Sequence, residues 1–587
     1  PLEPRPIPHL YEEEKRFAGV VRTSRPERAD HEVLLHAGTD SLLIDSNTSY
    51  WIEFDAKELT TGYLRLEMSG GGGSRIRIRC AECYETETAD GKRVKGVRDR
   101  HTDGYKLVGD TDRYVVSGCG LADIGKREVY EPFLFKTFRY VRLEIETADQ
   151  PLRLHRFDYR ETGYPLDVQT SFQCSDVSYH RLWEISIRTL RRCMHETYED
   201  CPYYEQLQYT MDTALQMLFT YQISGDDRLA RRAIHDFHCS RLPDGMLQSR
   251  YPSIRPQVIP GFSLYWIGML HDHYMHYADL AFVRMYMPTA EGVIEWFRRH
   301  LTEDGLVGTF SKKYWSYVDW VDGWANGIPP ARLAGPLTLD NFMLAAASRQ
   351  YAALCDAVGR GDAAEEYRRF ARQLNEAAAA HCWSEEKGLF RDGPSVEQFS
   401  QHAQLWAVLS GAVSGEAASS LMRRTMETPG LARVSYSMSF FLFRALSQAE
   451  VYEHVFDAWA PWHAMADLNL TTWAESPNGN RSDCHAWGAV PLYDFPAEIL
   501  GIKPERPGFS VTAVKPRIGH LTFAEGSAMT PRGKIDVRWE LANGRFRMML
   551  RSPAEMRFRF ILPDGTERLC EAAEGELLQA ECDYHQG

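Results

Sequence analysis

A large helical domain flanked by two antiparallel β-sandwich domains is the fold class that this sequence predicts. Three observations carry it. The chain has 587 residues, too many for one hydrophobic core. Residues from about 30 to 165, and again after Pro504, alternate apolar and polar side chains with the period of a half-buried strand. Between about 175 and 500, apolar residues recur at helical spacing instead.

In the first region Arg75-Ile76-Arg77-Ile78-Arg79 and Val141-Arg142-Leu143-Glu144-Ile145-Glu146 alternate strictly. Gly70 to Gly73 joins two strands; it lacks the Gly-Lys-Ser/Thr ending of a phosphate loop and reads as a hairpin. Near residue 175 the period changes. Trp183, Ile187, Leu190 and Met194 form one helical stripe, with Ser175 as the expected N-cap. Helices then alternate with short acidic breaks at Gly225-Asp226-Asp227, Tyr277-Ala278-Asp279 and Gly361-Asp362. Such connections make antiparallel hairpins, which either close into a toroid or form an irregular bundle. After Pro504, Ile535, Val537, Trp539 and Leu541 face one way, and Asn543-Gly544 supplies a hairpin turn. The expected domains are 1–170 (β), 171–502 (helical) and 503–587 (β).

Composition is ordinary for a globular protein, 44% apolar and 25% charged, with a formal charge of −14. A net negative surface argues against nucleic acid as a partner. No apolar run approaches the ~20 residues of a membrane span. Twelve cysteines show no framework spacing; Cys80 and Cys83 stand alone as a C-x-x-C and read as reduced thiols, with no metal site. Pro1 to Arg5 lacks the layout of a secretory signal, so a cytoplasmic location is expected. A homo-oligomer is compatible with the sequence.

Two segments concentrate carboxylates and aromatic rings. In Glu199-Asp200-Cys201-Pro202-Tyr203-Tyr204-Glu205-Gln206-Leu207-Gln208-Tyr209-Thr210-Met211-Asp212, Pro202 interrupts the helix, so residues 200–208 form a loop and Asp212 opens the next helix. The plain alternative is a solvated acidic loop, with Asp212 complementing the helix dipole. In the second segment, Asn469 to Asn480 carries Trp473 and Glu475 among turn residues, followed by His485. Here the plain alternatives are an exposed acid and a satisfied core histidine. Twelve of the fourteen tryptophans lie between Trp183 and Trp487. Most read as core, but Asp319-Trp320 and Trp473-Ala474-Glu475 pair rings with acids in loops, a pattern suited to the apolar faces and hydroxyl rims of sugars.

Together these segments resemble the bacterial α-L-rhamnosidases of glycoside hydrolase family 78. Asp200-Cys201-Pro202 is similar to the family's opening motif, Glu205 stands at its general-acid position, and Asp212 matches its closing Asp. Asp319-Trp320, His485-Ala486-Trp487-Gly488-Ala489-Val490 and Gly501-Ile502-Lys503-Pro504 resemble further family segments in the expected order, over roughly residues 40 to 587. Tyr204 stands where the family usually has Arg, Tyr209 where it has Trp, and Met211 where it has Gly. Ala474 intervenes before the base position at Glu475.

The resemblance implies an (α/α)6 barrel that hydrolyses terminal α-L-rhamnosides with inversion. Glu205 would be the general acid, its proton retained through repulsion from Asp200 and desolvation by tyrosines, and Glu475 the general base. Asp200, Asp212 and Asp319 would accept hydrogen bonds from sugar hydroxyls. Trp320, Tyr209, Tyr204 and Trp473 would shape the sugar site, and His485 would add a polar contact. No cofactor is required. Three readings compete: a glycosidase for another deoxyhexose or a pentose, a polysaccharide lyase, and a carbohydrate-binding protein without catalysis.

Overall fold

A computed structural model describes residues 4–36, 40–121, 125–476 and 481–584. The expected turn residues Pro477 to Asn480 lie outside these.

The N-terminal sheet is built on one long strand, Ser49–Gly70. It pairs antiparallel with Lys136–Glu146 on one side and Leu152–Gly163 on the other. Arg75–Ala81 extends the sheet beyond Lys136–Glu146, with Val141 opposite both Phe54 and Cys80. The arginine alternation does as its period requires: Ile76 and Ile78 are buried while Arg75 and Arg77 face water. Gly70, Gly71 and Gly73 turn the chain with positive φ between the two strands, a conformation open to glycine without steric cost. Phe17, Phe54, Phe138, Phe157 and Tyr159 fill the core. A three-stranded sheet of Tyr84–Glu87, Arg93–Lys95 and Lys106–Leu107 projects from this domain.

The helical region begins with Ser178–Arg192, and its start differs from expectation. The Asp176 carboxylate, not Ser175, accepts the Ser178 N–H at 3.0 Å. The Ser175 hydroxyl instead accepts from Thr522 N in the C-terminal region, because the chain is still leaving a strand there. Two kinds of helix then alternate. Thr210–Ile223, Pro260–Tyr277, Thr338–Ala357, Gln401–Leu409 and Tyr436–Gln448 are buried on most faces. Arg228–Cys239, Gly361–Cys382 and Gly415–Glu427 bury one stripe and expose the other, as expected of helices that cover an inner set. Among the described residues, no helix is long and apolar enough to cross a membrane.

The C-terminal region has a five-stranded and a four-stranded sheet. Phe172–Cys174, within the expected helical segment, pairs with Phe523–Thr530 of the first sheet. The expectation of purely antiparallel strands needs correction: Val511–Val514 runs parallel to Met556–Ile561, and between them the chain passes through three strands of the other sheet, Phe523–Thr530, Gly533–Ala542 and Arg545–Arg551. Asn543 and Gly544 both have positive φ between Gly533–Ala542 and Arg545–Arg551, as a tight hairpin demands. Buried Glu498 ties this region to the helices through Lys503 at 2.9 Å and Arg444 at 2.7 Å. Burial alone would raise its pKa, but these cations hold it at about 2.

Candidate active site

The helix Ser178–Arg192 ends well before Pro202, and the next helix starts at Thr210. The intervening loop folds on Asp200. Its N–H donates to Leu207 O at 2.8 Å, and its carboxylate accepts from Leu207 N at 3.0 Å. This closure turns Glu205 and Tyr209 to one side, where the Tyr209 hydroxyl donates to Glu205 Oε2 at 3.0 Å. Asp200 is itself buried. Burial first, and then the charge of Glu205, pushes its carboxyl well above the ordinary 3.8. Asp200 is the more enclosed of the two acids, buried where Glu205 keeps part of its surface in water. Glu205 instead forms an ion pair with Arg481.

The second loop is a narrow clamp. Glu475 N–H donates to Ser482 O at 3.0 Å, its carboxylate accepts from Ser482 N at 3.4 Å, and Trp487 Nε1 donates to its carbonyl at 2.9 Å. Glu475 is buried, and Arg481 Nη1 reaches its Oε1 at 3.2 Å. One guanidinium thus bridges Glu205 and Glu475, and it also lies over the Tyr204 ring at 5.4 Å. His485 stacks on Trp487 with ring centroids 3.5 Å apart and meets Asp212 through Nε2 at 2.8 Å. Burial lowers the His485 pKa, but the hydrogen bond and charge of Asp212 outweigh it and raise the imidazole above its ordinary value.

Asp200, Glu205, Tyr209, Asp212, Trp320, Glu475 and His485 line one cavity, together with Ile259, Phe262, Trp315, Tyr317, Arg481 and Trp487. Acids and rings from separate loops therefore converge where the buried helices Thr210–Ile223 and Pro260–Tyr277 begin. A larger cavity of about 570 Å³ lies around the later turns of these helices and holds none of the expected site residues.

Three expected residues take other places. Asp319 is fully buried and engaged: it accepts from His402 Nε2 at 2.8 Å, Ser435 N at 2.8 Å and Ser437 Oγ at 2.7 Å, and also from Ser435 Oγ. Burial raises its pKa, yet these donors outweigh it and hold the carboxyl below the ordinary value. Such a carboxylate secures two helix starts rather than a sugar hydroxyl. Trp473 is buried without exposure; its Nε1 donates to Ser186 Oγ at 2.8 Å. A Cβ on Gly488 would stand 2.7 Å from the Trp473 Cβ, so the indole is core under the clamp. Tyr204 lines a neighbouring cavity on the side of the N-terminal sheet.

That sheet domain also builds the clamp. Lys95 Nζ meets Glu82 at 2.7 Å and Asp483 at 3.3 Å, and it donates to Arg481 O. Arg98 grips Asp483 with two bonds of 3.0 Å, and Asp483 N–H donates to Glu82 Oε1 at 3.0 Å. Burial opposes the charge on Asp483, but Lys95 and Arg98 prevail and hold its carboxyl below the ordinary range. The segment that presents Arg481 and His485 is thus anchored by residues about four hundred positions earlier.

Among the described residues, Asp200, Cys201 and His485 are the group whose ligand atoms come within 4.8 Å of one another. They are already engaged, Cys201 Sγ with Asp200 at 3.3 Å and His485 with Asp212.

Sequence reasoning missed Arg481, Arg250, Trp315, Tyr317 and Trp487 as site residues. Arg250 Nη1 donates to the Tyr209 hydroxyl at 3.0 Å, so it reaches Glu205 through that ring. Both arginines come from loops far in sequence from Tyr204, although the Arg481 guanidinium returns to lie over that ring. Trp315 and Tyr317 directly precede Asp319-Trp320 in a loop, and that run of rings was the available signal.

Residues 167–499 match the model of the bacterial α-L-rhamnosidase six-hairpin glycosidase domain. Residues 501–576 match the bacterial α-L-rhamnosidase C-terminal domain, and residues 50–157 its concanavalin-like domain. The chain is 21% identical over 543 residues to an α-L-rhamnosidase from Alteromonas sp. (strain LOR), covering 87% of this chain and 55% of that protein. Among solved structures it resembles the family 78 rhamnosidase of Bacillus sp. GL1, with a TM-score of 0.79, 25% identity, and coverage of 91% of this chain and 55% of that one. The fold also matches a rhamnosidase from Klebsiella oxytoca with rhamnose bound, with a TM-score of 0.67, 20% identity, and coverage of 84% and 96%. The chain spans about half the length of the curated relative and of the Bacillus enzyme. From the domain match across its helical region, the chain belongs to the bacterial α-L-rhamnosidase family.

Proposed function

We propose that this chain hydrolyses terminal α-L-rhamnosides with inversion of the anomeric carbon, within an (α/α)6 barrel. The alternation of buried and one-sided helices supports such a barrel, with the buried set inside. The observation that carries the chemistry is the pair Glu205 and Glu475, on two separate loops, bridged by one guanidinium in a cavity walled by rings.

An acetal leaves only when its oxygen gains a proton, and the attacking water must lose one on the opposite face of the sugar. Glu205 takes the acid role. Its side chain is 18% exposed against 7% for Glu475, so it stands nearer the side from which a leaving group departs. Glu475, enclosed and held by Ser482, is the base that draws a proton from water. Arg481 occupies the space between them in the free protein, and the sugar takes that space on binding. Inverting pairs need a separation of ~6.5–9.5 Å, room that a bridging guanidinium fills. Asp200 and Asp212 accept hydrogen bonds from sugar hydroxyls, while Trp320 and Tyr209 cover its apolar face.

A panel of nitrophenyl glycosides tests this reading, with the α-L-rhamnoside set beside its stereoisomers and pentoside analogues. Selective release from the rhamnoside is expected, and proton NMR of the first-formed sugar should show the β-anomer. Sugar binding without cleavage would favour a non-catalytic protein. An unsaturated product absorbing in the ultraviolet would favour a lyase.

A further inference from the structure

Glu205 lines two cavities. One is the ring-walled site shared with Glu475. The other, about 190 Å³, lies between the catalytic loop and the N-terminal sheet and contains none of the remaining site acids. Its wall includes Asp110, Asp112, Leu134, Phe135, Lys136 and Tyr204. We infer that this second cavity is the leaving-group subsite and that it takes a single sugar ring, the one whose hydroxyl carries the rhamnose.

The inference rests on Glu205 being the general acid. An acid that protonates the glycosidic oxygen has the cleaved sugar on one side of that oxygen and the departing group on the other. Of the two spaces that Glu205 touches, the one with Glu475 must hold the anomeric carbon and its attacking water. The departing group is then directed into the other.

Its lining suits a sugar. Asp112 is fixed by Lys136 at 2.9 Å and by the Tyr130 hydroxyl at 3.1 Å, so its carboxylate is oriented before a ligand arrives. Asp110 is exposed, and Leu134 keeps 57% of its surface in water. Carboxylates beside exposed apolar and ring surfaces match a ring of hydroxyls with apolar faces. Size favours one ring over a larger aglycone, since sites for drug-sized ligands run to ~300–1,000 Å³. The two walls are also locked together. The Tyr203 hydroxyl donates to Cys80 O at 2.8 Å, and a Cβ on Gly109 would lie 2.0 Å from that oxygen and 2.2 Å from the hydroxyl. The loop of Asp200 to Tyr209 is thereby held against the sheet before a ligand arrives.

The test compares an α-L-rhamnosyl-hexose disaccharide with α-L-rhamnosyl fluoride, whose leaving group leaves the second cavity vacant. Asp110→Ala removes a hydroxyl partner, and Leu134→Trp fills the space from an exposed position that does not endanger folding. Each should lower the ratio of kcat/KM for the disaccharide to that for the fluoride by about tenfold or more, carried mainly in KM. Ratios unchanged in both variants, with the wild type cleaving both substrates, would overturn the subsite while leaving the rhamnosidase reading intact. A wild type that cleaves neither substrate would bring down both readings.

Discussion

The imidazole of His485 is fixed by Asp212, with Nε2 2.8 Å from Oδ1, and both side chains are buried in the wall of the site. Asp212 raises the His485 pKa above 6.5 against the effect of burial. The folded protein therefore keeps a proton that the unfolded chain releases at 6.5. This stabilisation is complete below about pH 6.5 and is lost as pH rises through the folded value. His485→Gln should consequently lower the melting temperature more near pH 6 than near pH 9. An equal loss at both would rule out the charged pair.

Asp200 shifts stability in the same direction for a different reason. Burial and Glu205 raise its pKa well above 3.8, so the folded state retains a proton that the unfolded chain gives up. Stability then falls as pH rises from 3.8 through the folded value. Asp200→Asn imitates the neutral acid without this titration. Its melting temperature relative to wild type should climb with pH while turnover drops. A pH-independent difference would contradict the protonated state.

The two glutamates separate by chemistry. Glu205→Gln keeps the shape of the site but cannot donate a proton, and kcat should fall by ~10²–10⁴ with sugar affinity retained. Glu475→Ala should lose turnover on a similar scale and regain it with azide, which would appear as an inverted glycosyl azide. A retained configuration in that adduct would remove Glu475 from the base position.

Trp473 is expected to act on stability alone. Trp473→Ala empties a core position and should cost ~3–5 kcal/mol. The milder Trp473→Phe, which loses the bond to Ser186, should cost ~1–2 kcal/mol and leave KM for the rhamnoside unaltered. A large rise in KM for the phenylalanine variant would return Trp473 to the sugar wall.

Much of this arrangement can be read from spacing, and the unread part has a common cause. The break at Pro202 and the helix restart at Met211 follow from backbone rules that act within a few residues, so the loop of Asp200 and Glu205 is legible. Strand alternation exposes Arg75 and Arg77 for the same local reason. Asp319, Trp320 and Trp473 lie in irregular segments, where no period tells which way a side chain turns; there Trp320 faces the cavity and Asp319 turns to His402. Arg481 was hidden for another reason. An isolated arginine has no motif, and its meaning depends on Glu205, an acid brought in by a distant part of the chain. Long-range ion pairs leave no local trace.

The bond between Asp483 N–H and Glu82 Oε1 joins residues 401 positions apart. During synthesis at ~5–20 residues per second, Asp483 emerges about 20–80 s after Glu82. Through that interval the N-terminal sheet has time to fold and Lys95 to meet Glu82, while Arg98 has yet to gain the Asp483 carboxylate that it grips in the finished molecule. The clamp around Glu475 is therefore among the last parts of the molecule to close. A chain released early would carry a finished sheet and a complete first loop, yet no working centre.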